Sequence, residues 1–263
     1  MRILVSNDDG IYADGIWVLA QQLSKIAEVT VVAPDREQSA VGTAVNLRKP
    51  LRVQKITPLH RGIEAYSVEG TPSDSVILGL AKIVTGKVDL VVSGINQGTN
   101  MGEDVLISGT VGAALSAYLR GFPAVAISCA RERWNEAYLK GVAGFVALLA
   151  RRFKSLTLPA NTFLNVNIPD LPLGNIQGLK ITRLAHKSHV NTVEEGRDGN
   201  RSYYMLIREA VNNQVDTRTD IWAGNQGYIS ITPLHLFLND RLAPSWLEKL
   251  TSGLLEEFKN SLS

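Results

Sequence analysis

The chain reads as an α/β protein: a mostly parallel sheet flanked by helices, followed by a C-terminal β-rich arm and a terminal helix. Three observations carry that reading. Short, near-continuous apolar runs recur through residues 1–170, which suits strands buried on both faces. Stretches with helical apolar spacing separate them, as crossovers between parallel strands require. Beyond Pro172 the texture changes to extended runs joined by polar, Gly- and Asn-rich connections, the habit of antiparallel strands. Residues 1–170 are therefore expected to form the core, and 171–263 an arm and helix rather than an independent domain.

Ile3-Leu4-Val5-Ser6 opens a strand that runs into Asn7-Asp8-Asp9-Gly10. Ile16, Leu19, Ala20 and Leu23 then recur at helical spacing, and Val29-Thr30-Val31-Val32-Ala33 is a second strand stopped by Pro34. The loop Pro34-Asp35-Arg36-Glu37-Gln38-Ser39-Ala40-Val41-Gly42 follows, polar and carrying both charge signs. Residues 51–68 read as a hairpin-like insertion. After it, Thr71 is placed to cap and Pro72 to begin a helix over 72–83. Val88-Asp89-Leu90-Val91-Val92 is the third parallel strand, leading into Ser93-Gly94-Ile95-Asn96-Gln97-Gly98-Thr99-Asn100. The small-residue segment Ile107-Ser108-Gly109-Thr110-Val111-Gly112-Ala113-Ala114-Leu115 opens the next helix. Strands at 124–128 and 162–168 bracket a long helix over 135–153; in the arm 179–183, 202–207 and 228–231 are extended, and a terminal helix covers 245–258.

Composition narrows the function. With 45 % hydrophobic and 20 % charged residues among 263, the chain has material for a sizeable core. Its 27 Lys and Arg nearly balance 25 Asp and Glu, so no global field recruits a DNA or RNA duplex or an anionic membrane, and an anionic ligand must be held locally. The single Cys129 excludes an intramolecular disulfide framework. No signal-peptide pattern precedes the first strand, so a cytoplasmic location is expected. No apolar run reaches the roughly 18 residues of a membrane span.

In open α/β sheets ligands bind outside the carboxyl ends of the strands. Loops after the first three strands bring Asp8 with Asp9, Ser39 and Asn96 to one such edge, and Asn46 is a further candidate there. Adjacent carboxylates repel and call for a cation, although Asp-Asp-Gly is also an ordinary solvated turn. The donor set is all oxygen, which favours Mg²⁺ or Mn²⁺ over zinc. The helix start at Ser108-Gly109-Thr110 offers unpaired N–H groups and hydroxyls to a phosphate, although tight helix packing explains its small residues equally well. It lacks a Walker lysine. A hard cation beside a phosphate seat, without an evident protein nucleophile, points to metal-assisted hydrolysis of a phosphate ester, the nucleophile being metal-bound water. Asp8 and Asp9 are then the catalytic carboxylates, with Asp9 able to accept the water's proton. A phosphoacceptor signalling domain also uses an acidic pair after its first strand, but needs an acceptor Asp where this chain has Asn96. A nucleotide-binding protein without turnover is a third reading. His186 and His189, three apart in a basic segment, fit a solvated hairpin better than half a metal site.

Ser6-Asn7-Asp8-Asp9-Gly10, Pro34-Asp35-Arg36-Glu37-Gln38-Ser39, the Ser93 to Asn100 run and Ser108-Gly109-Thr110-Val111-Gly112-Ala113-Ala114 together resemble the SurE family of survival-protein nucleotidases. The likeness extends through Gly70-Thr71-Pro72, Leu164-Asn165-Val166-Asn167-Ile168-Pro169 and Gly227-Tyr228-Ile229-Ser230-Ile231-Thr232-Pro233-Leu234. It implies a Rossmann-like core and one divalent ion per subunit, Mg²⁺ or Mn²⁺, held by Asp8, Asp9, Ser39 and Asn96. The phosphate would rest on Ser108, Gly109, Thr110 and Asn100. The implied activity is hydrolysis of nucleoside 5′- and 3′-monophosphates, with short polyphosphate as a further substrate. Homodimers or homotetramers built through the carboxyl-terminal arm are expected, and neither nucleic-acid duplex nor membrane is expected as a partner.

Overall fold

A computed structural model describes residues 1–60, 62–130, 135–155, 162–186, 189–210 and 216–235. Strand β1 (Arg2–Ser6), helix α1 (Asp14–Ser24) and strand β2 (Glu28–Pro34) form the opening crossover, with β1 parallel to β2. Strands β3 (Val53–Lys55) and β4 (Glu64–Val68) make the expected hairpin, whose second strand also pairs parallel with β2. Helix α2 (Pro72–Leu78) starts at a reciprocal box: Thr71 accepts from Asp74 N–H, and Asp74 accepts from Thr71 N–H. Its last turn widens over Gly79–Ile83.

Strand β5 (Leu90–Gln97) runs further than its apolar stretch and carries Asn96 at its end, so Asn96 is a strand residue rather than a loop residue. Helix α3 (Gly109–Tyr118), strand β6 (Ala124–Cys129), helix α4 (Glu136–Ser155) and strand β7 (Phe163–Ile168) complete the parallel succession. Strand β8 (Gly178–Ile181), the hairpin strands β9 (His189–Asp198) and β10 (Arg201–Ala210), helix α5 (Asp220–Asn225) and strand β11 (Tyr228–Pro233) follow. The terminal helix expected at 245–258 lies outside the described residues. No helix among the described residues is long and apolar enough to cross a membrane.

Among the described residues, nine strands form one sheet in the order β3-β4-β2-β1-β5-β6-β7-β11-β8, antiparallel only at β3–β4 and β7–β11. Strands β8 and β11, which lie beyond Pro172, thus extend the core sheet, and among the described residues only β9–β10 forms a sheet of its own. Alternation divides the core. Ile3, Val5, Val31, Val92 and Ile127 pack with α1 and α4, while Leu4, Val32, Val91 and Ala126 pack with α2 and α3. Burying each such aliphatic chain contributes about 1.5–3 kcal/mol.

Because both faces of β1 are apolar, its hydrophobic pattern alone does not forbid a one-residue slip. Polar contacts at its carboxyl end set the register. Asn7 Nδ2 donates to Gly10 O at 2.9 Å, Ile11 N to Pro34 O at 2.8 Å and Gln38 N to Asp8 O at 2.7 Å. The same bonds tie the loop after β2 to the end of β1.

Candidate active site

Strands β2, β1 and β5 are neighbours at the centre of the sheet, so their carboxyl ends open on one place. Gly10 lets the loops close there. Its φ is +96°, and a Cβ would lie 2.9 Å from the Arg36 carbonyl carbon. A cleft of about 210 Å³ results, lined by Asp8, Ser39, Asn96, Asn100, Asp104 and Ser108 together with intervening backbone.

Asp8 is buried against the first turn of α3. Its carboxylate accepts the Thr110 hydroxyl proton and the Thr110 backbone N–H, so an anion caps the positive end of the helix. Gly109 permits the approach, since a Cβ there would sit 2.7 Å from the Cβ of Asp8. The glycine is therefore a close-packing residue as well as part of the helix start. Burial pushes the Asp8 carboxyl above its ordinary range, opposed by the bonds from Thr110. Asp9 is raised to about 7, first by burial and then by the charges of Asp8 and Glu37. Among the described residues, no cationic side chain pairs with either carboxylate.

Ser39 is exposed, its hydroxyl donating to Glu37 Oε1 at 2.7 Å. Asn96 uses its amide nitrogen on the carbonyl of Gly98 at 2.9 Å, which leaves the amide oxygen to act as a ligand. The Ser108 oxygen accepts from Val111 N–H at 3.1 Å as the cap of α3 and keeps its proton to donate. Thr110, expected at a phosphate, is fully buried with its hydroxyl turned onto Asp8. Asn100 lines the cleft, yet its amide nitrogen donates to Ser128 Oγ at 2.7 Å. Its backbone is gripped by Asn165 and Asn167 of β7. Asn46 does not reach the cleft, because its backbone and side-chain N–H groups bond both oxygens of Asp74, at 3.0 and 2.6 Å.

Several contributors escape a reading of the sequence. Asp104 lies in a short helical turn, Gly102–Leu106, and forms part of the cleft wall. His189, at the start of β9, places Nδ1 2.7 Å from Asp104 Oδ2. Buried Asp220 accepts from Gly102 N and Ala185 N, each at 2.9 Å, and so joins that turn to the chain entering the arm. Asn165 and Asn167 carried a signal: two amides spaced by two on an otherwise apolar strand share one face.

No three His, Cys, Asp or Glu side chains converge on a metal-sized point among the described residues. A cation here would draw on the two carboxylates plus hydroxyl and amide oxygens, a donor chemistry suited to a hard ion. Buried Asp8 and half-buried Asp9, without a cationic partner among the described residues, fit such an ion.

Fold and cleft define an α/β protein with an acidic ligand site at the carboxyl edge of its central strands. The chain belongs to the SurE family: the family model "Survival protein SurE" matches residues 3–191. The chain is 55 % identical over 255 residues to "5′-nucleotidase SurE" of Dehalococcoides mccartyi strain CBDB1, covering 97 % of this chain and 96 % of that one. It is 44 % identical to the protein of the same name from Carboxydothermus hydrogenoformans, covering 97 % and 99 %. The crystal structure of the SurE protein from Aquifex aeolicus superposes with a TM-score of 0.78 at 33 % identity, covering 97 % of this chain and all of that one.

Proposed function

We propose that this chain is a divalent-metal-dependent 5′-nucleotidase that hydrolyses nucleoside monophosphates to nucleoside and phosphate. Relatives bearing that name at 44 to 55 % identity over nearly the whole chain support the activity. The observation that carries the chemistry is the desolvated Asp8–Asp9 pair, which lacks a cationic partner among the described residues and lies beside the start of α3.

Asp8, Asp9, Ser39 and Asn96 would hold one ion. Mg²⁺ or Mn²⁺ bound there would supply Lewis-acid chemistry, polarising phosphoryl oxygens and making water a competent nucleophile. The protein's own groups do the remaining work. Thr110 fixes Asp8 through two hydrogen bonds, and Gly109 lets that carboxylate reach the helix end. Ser108 donates its free proton to a phosphoryl oxygen, and Asn100, locked by β7, fixes the opposite wall. These donors address phosphate rather than base or sugar, which supports 3′-monophosphates and short polyphosphate as further substrates.

The β9–β10 hairpin supports assembly into dimers or tetramers through the arm. Among the described residues it pairs with no other strand, and it exposes Val193, Tyr203, Tyr204, Met205 and Leu206. An isolated two-stranded ribbon is marginal in water. A cytoplasmic setting suits a chain whose one cysteine cannot form an internal disulfide.

Chelator-treated protein is expected to release no phosphate from a nucleoside 5′-monophosphate and to recover on addition of Mg²⁺ or Mn²⁺. Undiminished turnover in chelator would overturn the metal assignment, and absence of turnover with every divalent ion would overturn the activity.

A further inference from the structure

The hydrolysis just described has a second requirement that the carboxylate pair does not meet. When the P–O bond breaks, its electron pair goes to the sugar oxygen, and an alkoxide is a poor leaving group unless protonated. Asp8 and Asp9, serving as ligands to a cation, have no proton to give.

Asp104 stands in the cleft wall, and His189 packs against it. Asp104 is 6 % exposed and lines the cleft. The enclosed Nδ1 of His189 lies 2.7 Å from its Oδ2, close enough for an ion pair though not aligned as a hydrogen bond. Such contacts often tighten only once substrate is bound. The juxtaposition is built into the frame: buried Asp220 bonds the backbone of Gly102 and of Ala185, so the segments carrying Asp104 and His189 are held by one side chain. The neighbouring pair, His186 with Glu103 at 3.3 Å, is solvent-exposed and lacks that enclosure.

We propose that His189 protonates the departing nucleoside oxygen and that Asp104 positions its ring, so that the base of the arm contributes to catalysis. This rests on the phosphomonoesterase reading above. With Nδ1 held at Asp104, Nε2–H is the ring's remaining donor for the departing oxygen. Attack by water forms a new P–O bond, and the bond to the nucleoside breaks. The departing oxygen takes the Nε2 proton, and the neutral imidazole regains a proton released by the attacking water. Asp104 is a positioning residue, and His189 is the group that meets the substrate.

The test compares leaving groups. Wild type, His189→Asn, His189→Gln and Asp104→Asn are assayed, as full-length protein with saturating Mg²⁺ or Mn²⁺, on a nucleoside 5′-monophosphate and on p-nitrophenyl phosphate. The phenolate of the second substrate departs without protonation. The expected result is a loss of kcat of about 100-fold on the nucleotide, with little loss on the aryl ester. The loss should be shared by at least one variant whose circular dichroism and thermal melt match wild type. Equal losses on both substrates would assign the pair a structural role, and no loss on either would remove it from the reaction. Both overturn the proposal. If wild type hydrolyses neither ester, the phosphomonoesterase reading itself has failed, a result distinct from either.

Discussion

Two sets of aspartates in this molecule meet opposite electrostatic fates. At the base of the arm, Asp216 accepts from Arg218 and lies 2.5 Å from an Arg183 nitrogen, and these partners hold its carboxyl down at about 2. At the sheet edge, Asp9 is driven up to about 7 by burial and by the charges of Asp8 and Glu37. The first carboxylate is exposed and has its cations. The second is desolvated and has none among the described residues. A folded chain tolerates a buried charge mainly when it is paired, so the contrast supports the proposal that the Asp8–Asp9 pair takes a cation from solution.

The sharpest way to break the contrast is to neutralise the unpaired set. Asp8→Asn or Asp9→Asn keeps the shape of the side chain and removes one ligand charge. We expect kcat/KM for phosphate release from a nucleoside monophosphate to fall by about a thousandfold, the scale of losing one key electrostatic group in a closed site. Steady-state assays over a range of Mg²⁺ and Mn²⁺ concentrations check this. Activity within threefold of wild type would place the chemistry elsewhere.

Next in size is a pH effect on the metal-free protein. The folded pKa of Asp9 is about 7, against 3.8 for a free aspartate, so the folded state binds more protons between those values. Its contribution to stability is fully present below pH 4 and is lost as pH rises towards 7, by on the order of a few kcal/mol. Asp8 acts in the same direction. Thermal melts in chelator should therefore show Asp9→Asn stabilised over wild type at pH 8 but not at pH 4, and a divalent ion should recover wild type at pH 8. A flat difference across that range would mean that Asp9 is already compensated in the free protein.

Only the sheet-edge side of this contrast was legible in the sequence; nothing there singled out Asp216. Asp8 and Asp9 abut the first apolar run, and Ser39 and Asn96 lie just beyond the second and third, so adjacency in the chain translated directly into adjacency at the sheet edge. Thr110 was legible as part of a helix start but not as a donor to Asp8, because the direction of a hydroxyl depends on how closely Gly109 lets α3 approach β1. The extension of the sheet by β11 and β8 was not legible. Antiparallel pairing of β11 with β7 depends on a chain reversal through the arm, which apolar spacing does not encode. His189 and Asp104 are far apart in sequence and are brought together by tertiary contacts such as those of Asp220, which a local pattern does not encode.

Thr110→Val probes how the unpaired set is held. It removes the hydroxyl donated to Asp8 while keeping the branched shape, and the backbone N–H of residue 110 remains. Loss of an outer hydrogen bond to a metal ligand typically costs 10–100-fold in affinity or activity, and we expect an effect of about that size. Titration calorimetry with Mn²⁺, paired with kcat measurements, separates weakened ion binding from a folding defect. Unchanged affinity would remove Thr110 from the support of Asp8.

The smallest effect belongs to the paired set. The depressed pKa of Asp216 means that its contribution to stability is present above pH 4 and is lost as pH falls towards 2. It sits in solvent, however, where water and salt screen the ion pairs and ordering two arginines costs side-chain entropy. We therefore expect Asp216→Asn to leave nucleotide hydrolysis within twofold of wild type and to shift the melting temperature at pH 7 only slightly, with the shift shrinking further in high salt. A large loss of activity from this substitution would show that the arm base is coupled to the cleft through its charges. The small salt-sensitive shift would leave Asp220, buried and bonded to the backbone of Gly102 and Ala185, among the contacts that join the two regions.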